Sequence, residues 1–294
     1  MEPARRQLLG TLLCLAVALS FAVNTALAAV AYRHGADALS VLTYRTTLAL
    51  IALFVILKLW RVPMTLEPGK RWIALGLGIF MGIQSYGLLG AIQFMPLALA
   101  VLTIYLNPLL MGLASWALRL ERMTWALGGA LVTAFAGLML ALDVWGGGLS
   151  AVGVALAAGG ALSNVGVMLI NRRLVGAFRD SRPVTVHMLA TAALTFVAID
   201  LVWGQLPLPA DPIGWAAFLG VGAFYAFGVI GVFVAMSIIG PVRSALFANL
   251  EPIASVVIGT TLLGQAMSPL QLAGAALVLG AIVFTAWRRG KSAE

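Results

Sequence analysis

Asn107-Pro-Leu-Leu-Met-Gly-Leu-Ala-Ser-Trp-Ala-Leu-Arg-Leu-Glu121 and Glu251-Pro-Ile-Ala-Ser-Val-Val-Ile-Gly-Thr-Thr-Leu-Leu-Gly-Gln265 are two versions of one pattern. Each sets a polar residue and a proline inside a long apolar run, with a second polar residue 13 positions after the proline. Each is followed by a Gly/Ala-rich run, Gly128-Gly-Ala130 in one and Ala273-Gly-Ala275 in the other. Pro252 follows Pro108 by 144 residues; Leu162-Ser163 follows Leu19-Ser20 by 143, a spacing that also sets His187 against Tyr44. A period of nearly half the chain means that the 294 residues are two copies of one unit.

Working outward, apolar runs of spanning length recur on both sides of these stretches. A bilayer-crossing helix needs about 20 mostly apolar residues. Ten segments qualify: 8–31, 39–59, 71–93, 97–118, 123–142, 150–171, 183–203, 212–238, 241–263 and 269–287. The breaks carry Pro63, Pro68-Gly69, Pro96, Gly146-Gly-Gly148, Pro183, Pro207, Pro209, Pro241 and Pro269, the usual loop punctuation. Composition agrees: 62% hydrophobic residues, 10% charged, and a mean hydropathy of +1.04 leave too little polar surface for a water-soluble chain. The run from Leu8 to Ala31 follows Arg5 and Arg6 like a signal peptide, but at 24 residues it has the length of a spanning helix. The expected fold is therefore all-α and membrane-integral, with ten helices in two five-helix halves, 1–142 and 150–294. Five is odd, so the second half starts on the opposite side and the repeats are inverted, a plan shared by many secondary transporters.

Sixteen of the 18 Lys and Arg residues fall on one side if the N-terminus is cytoplasmic, the exceptions being Arg33 and Arg45. The positive-inside rule then puts both termini in the cytoplasm of a bacterial-type inner membrane. The net charge of +8 reads as topology and contact with anionic lipid rather than as a nucleic-acid surface. Cys14 is the only cysteine, and His34 and His187 the only histidines, so no metal centre or cofactor is expected. No nucleotide-binding Gly-x-x-x-x-Gly-Lys-Ser/Thr motif occurs, which removes an ATP-driven pump. A membrane enzyme would need paired acids or an activated nucleophile, and Glu251 is read as essentially the one intramembrane carboxylate. A channel would need a charged ring or a filter-like segment.

Polar groups at membrane depth are costly and face a cavity or a partner. Glu251 heads the candidates, on a stripe with Ser244, Ala248 and Ser255. It could contact a substrate ammonium group, titrate in a proton-coupled cycle, or be a structural acid satisfied by Arg45, Asn249 or a backbone amide. Pro108 and Pro252 free the carbonyls of Ile104 and Ala248 and mark either a cavity-lining hinge or a packing kink. Tyr86, Tyr105, Tyr225 and Phe247 offer aromatic walls, and Asn24, Asn107, Asn164 and Asn249, with Met168 nearby, offer amides; all could equally be packing residues or interhelical glue. Arg45 either snorkels to the interface or braces the fold.

Tyr44-Arg-Thr-Thr-Leu-Ala49 early in the second run, and the two proline-bearing runs each with its Gly/Ala-rich successor, resemble the EamA-type signature of the drug/metabolite transporter superfamily. The resemblance covers nearly the whole chain, and its overall look is closest to YddG-type amino-acid exporters. One departure is Gln265, where that family usually has glutamate. The resemblance implies a secondary transporter of small organic solutes in the lipid bilayer, with export the expected direction; the inverted repeats fit alternating access, and two fused halves that can form a complete pathway make a monomer the default. An acid, several amides and aromatic walls suit a neutral or aromatic amino acid; drugs or other metabolites are the alternative cargo.

Overall fold

The computed structural model describes residues 3–119, 124–143, 150–175, 181–203, 206–240, 244, 247 and 250–291. Its decisive local feature is a broken helix. α4 (Leu97–Ile104) stops at Tyr105, and α5 (Asn107–Ala117) starts two residues later, so one 21-residue apolar span is made of two pieces. Tyr105 N–H still reaches Val101 O at 2.9 Å and Leu106 N–H reaches Thr103 O at 3.3 Å, after which Pro108 cannot donate to Ile104 O. The sequence anticipates a kink or hinge here, and the helical bonding breaks at that point: Tyr105 and Leu106 keep near-helical dihedrals, and the proline falls in the first turn of the next piece, where an N–H is not needed.

The other elements are α1 (Pro3–Arg33), α2 (Ala38–Leu59), α3 (Pro68–Ala91), α6 (Trp125–Ala141), α7 (Ala151–Val175), α8 (Arg182–Trp203), α9 (Pro212–Ile239), α10 (Leu250–Thr261) and α11 (Pro269–Lys291). No strand occurs among the described residues. Seven spans are long and apolar enough to cross a membrane; Gly128–Ala141, Leu250–Thr261 and Pro269–Phe284 are apolar but shorter. Caps define several starts. Asp37 and Ser40 form a reciprocal capping box on α2, and Asp211 accepts from Gly214 N–H at 2.8 Å with Pro212 opening α9.

The two halves of the chain interleave. α1 lies along α9 and α3 along α7; α3 packs on α8 and α2 on α9; α6 pairs with α11. Exchanging first-half and second-half helices in order turns the first pair into the second and the third into the fourth, and returns α6–α11 to itself. Hydrogen bonds obey the same exchange. Ser20 donates to Phe224 O at 2.8 Å between α1 and α9, and Ser163 donates to Phe80 O at 2.8 Å between α7 and α3. Two contacts need glycine because backbones touch: a Cβ on Gly87 would lie 2.6 Å from Gly160 Cα, and one on Gly274 would lie 2.5 Å from Gly137 O.

Four turns meet at one end of the bundle. His34 Nδ1 contacts Asp211 Oδ2 at 2.5 Å, and Ala210 N–H donates to His34 O at 2.8 Å. Arg33 Nη2 donates to Leu263 O at 3.4 Å, and Leu97 N–H donates to Gln265 Oε1 at 3.1 Å. Gln265 thus caps the start of α4, a task for any side-chain carbonyl oxygen. This explains in physical terms why a neutral amide serves at this position. The Asp211 carboxyl is held below the usual carboxylate range by the Gly214 N–H and then by His34.

Candidate functional site

The break between α4 and α5 aims Tyr105 at the other half of the chain. Its hydroxyl lies 2.5 Å from Glu251 Oε2, in the first turn of α10. Each partner stands beside its repeat's proline-bearing turn, so the bond joins the two copies of the opening motif. Asn107 is buried at the same break, and Ser255, one turn beyond Glu251, is fully buried with an unpartnered hydroxyl. Pro252 is buried in the first turn of α10.

Arg45 is 3% exposed and does not snorkel. Its guanidinium lies 4.3 Å from the centroid of the Tyr225 ring, and Phe21 meets that ring edge-on at 6.1 Å. Tyr32, Tyr225 and Glu251 are within electrostatic range of Arg45. The centre therefore combines a carboxylate, a guanidinium and three tyrosines drawn from α1, α2, α4–α5, α9 and α10.

Other candidates lie elsewhere. Asn24 is 2% exposed. With its amide oriented so that both ends are satisfied, it donates to Val221 O at 3.2 Å and accepts from Thr25 N–H at 3.2 Å, bracing α1 against α9. Asn164 is half-buried next to Ser163, and Met168 is exposed. Phe247 is helical and half-buried. Asn249, and Ala248 with its carbonyl, lie outside the described residues. Tyr86 lines an apolar cleft of about 780 Å³ with Gly82, Leu156, Gly159, Phe196 and Trp203, between α3, α7 and α8. A smaller cavity of about 400 Å³, walled by Tyr32, Arg33, Gln93 and Gln265, opens at the end where the four turns meet.

Two groups were not legible as site residues. Tyr32, just past the end of the first apolar run, carries no motif that singles it out, yet its hydroxyl is buried without a partner. Asp200 contradicts the reading of Glu251 as essentially the one intramembrane acid: it lies within the apolar span of α8 and accepts from Thr43 Oγ1 at 2.6 Å. The apolar average of α8 hides it, and only the facing threonine on α2 explains how it is tolerated. His187 Nδ1 bonds Pro183 O at 2.8 Å within its own helix.

A solved crystal structure shares the fold at a TM-score of 0.62, with 23% identity over 95% of this chain and 98% of the other. No curated protein matches the chain. The EamA-like transporter family matches twice, over residues 8–142 and 151–287. The two matches cover both halves that the proline motif delimits, and the protein is a multi-pass membrane member of the EamA-like transporter family.

Proposed function

We propose that the protein is a carrier that exports neutral amino acids with apolar or aromatic side chains, working as a monomer by alternating access. In this reading ten spans form two inverted five-helix halves, 1–142 and 150–294, in an inner membrane with both termini cytoplasmic. Support for the inversion comes from the packing pairs that exchange between halves and from the symmetric Ser20–Phe224 and Ser163–Phe80 bonds. The direction of α7 adds to it: α1 runs toward the end where the four turns meet, whereas α7 starts there, with Gly153 against Phe94 and Met95.

One observation carries the functional reading: the Tyr105–Glu251 bond, which joins the halves; the Arg45–Tyr225 contact is a second junction between them. A rocking carrier needs its substrate site at the contact between the moving halves. A carboxylate there can exchange its tyrosine partner for a substrate ammonium group, and the rings suit an apolar side chain. Pro108 and Pro252 sit where the halves touch and act as hinges. The apolar cleft beside Tyr86 favours the second reading, export of amphipathic drugs or other metabolites.

The test is uptake of labelled phenylalanine and threonine by liposomes holding purified, inserted protein. The expected result is saturable uptake that Glu251→Gln lowers at least tenfold. Failure to move any neutral amino acid, in liposomes that do move amphipathic cations, would leave the second reading in place.

A further inference from the structure

Arg45 poses a problem in elementary electrostatics. It is buried within an apolar span, and its Nε–H has no hydrogen-bond partner. Among the described residues no carboxylate forms an ion pair with it; the pairs present are His34–Asp211 and Lys70–Glu67. Glu251 acts on it as a counter-charge without a direct ion pair, which leaves the buried Nε–H itself without an acceptor, a costly state. The Tyr225 ring covers the face of the guanidinium. Cation–π contact uses that face and leaves the in-plane Nε–H without an acceptor.

A second donor stands nearby without a partner. The Tyr32 hydroxyl is buried, unbonded and within electrostatic range of Arg45. Two buried donors that both lack an acceptor call for a partner that accepts. The planar fork of arginine matches the two oxygens of a carboxylate.

The internal repeat supplies a control. At the spacing that relates Ser20 to Ser163, Arg45 corresponds to Met188, which is buried at 7% exposure. The same place in the second half is filled by an apolar side chain, so packing at this position does not require a cation. The charge belongs to the first half alone.

We infer that Arg45, together with the Tyr32 hydroxyl, receives the carboxylate of an α-amino acid whose ammonium group sits at Glu251. The inference rests on the amino-acid reading of the site and deepens it. Opposite charges held apart in one buried site select zwitterions over amines, and they reject esters and amides that lack the carboxylate charge.

The test is ligand-dependent thermal stabilisation of the purified full chain, titrated with phenylalanine, phenethylamine and phenylalanine methyl ester. Wild type is expected to prefer phenylalanine at least about tenfold over both analogues, because a site built for a polar group rejects ligands lacking it. Arg45→Met, which installs the residue found at the matching place in the second half, is expected to bring that preference close to one. Tyr32→Phe lowers it a few-fold. Equal binding of phenethylamine and phenylalanine by wild type overturns the assignment while leaving an amino-acid carrier intact, and that comparison needs no variant to fold. Retention of the full preference by Arg45→Met also overturns it. Absence of binding or transport of any neutral amino acid removes the substrate reading itself, and this inference with it.

Discussion

Replacing Gly274 by alanine should weaken the junction between α6 and α11, whereas the same change at Gly280, on the same helix, should not. An ideal Cβ at Gly274 collides with Ala141 N and lies 2.5 Å from Gly137 O and 2.9 Å from Ala141 Cα. All three atoms are backbone, so no rotamer change relieves the clash. Ordinary contact requires the two helices to part by roughly 1 Å, which forfeits up to about half of the local dispersion energy. Overpacking of this kind costs about 1–3 kcal/mol. At Gly280 a new Cβ meets nothing within 4 Å. There alanine brings only its better helix propensity, worth up to about 1 kcal/mol. The two variants should therefore straddle wild type in thermal unfolding in detergent, with Gly274→Ala lower by several degrees. If Gly274→Ala melts at or above wild type, or Gly280→Ala falls as far, the close-packed junction is wrong.

Ser20→Ala and Ser163→Ala remove equivalent side-chain bonds and should lower stability by similar amounts, about 0.5–2 kcal/mol each; a loss confined to one of them counts against the symmetric packing. Gln265→Leu should destabilise the start of α4 while Gln265→Glu retains wild-type melting, since Leu97 N–H needs only an oxygen acceptor; equal damage from both would argue against the capping role. Asp211 is more acidic folded than unfolded, so its contribution is complete above the ordinary carboxylate value and is lost as pH falls through the depressed one. The melting difference between wild type and Asp211→Asn should accordingly close only below about pH 4. Closure at neutral pH would refute the assignment.

The sequence carries the helical plan well because the bilayer demands long apolar runs and the repeat doubles each signal. Each of the ten expected runs contains helix among the described residues; most ends shift by a few positions, while the ninth run, expected from 241, is described as helix at 244, 247 and Leu250–Thr261. What the runs could not reveal was how Pro108 is accommodated. A proline inside an apolar run fits a kinked helix and a broken one equally, and the choice depends on whether the residues before it can end a helix. The pairing of Tyr105 with Glu251 was legible only as two separate candidates, because nothing local says that residues 146 apart meet. Asn24 shows the opposite failure: an amide in an apolar run advertises polarity but not direction, and here it faces a neighbouring backbone. Arg45 fitted either snorkelling to the interface or bracing the fold, because its distance from the helix start allows both. Its burial against Tyr225 depends on how α2 packs, which periodicity does not encode.

The most direct test of the central claim is counterflow. Liposomes loaded with unlabelled phenylalanine, and matched empty ones, receive labelled phenylalanine outside at a concentration that saturates uptake. An alternating-access carrier predicts faster entry and transient accumulation of label in the loaded liposomes, with both lost in Glu251→Gln. Equal entry into loaded and empty liposomes, rising without saturation, would indicate a pore and contradict the account.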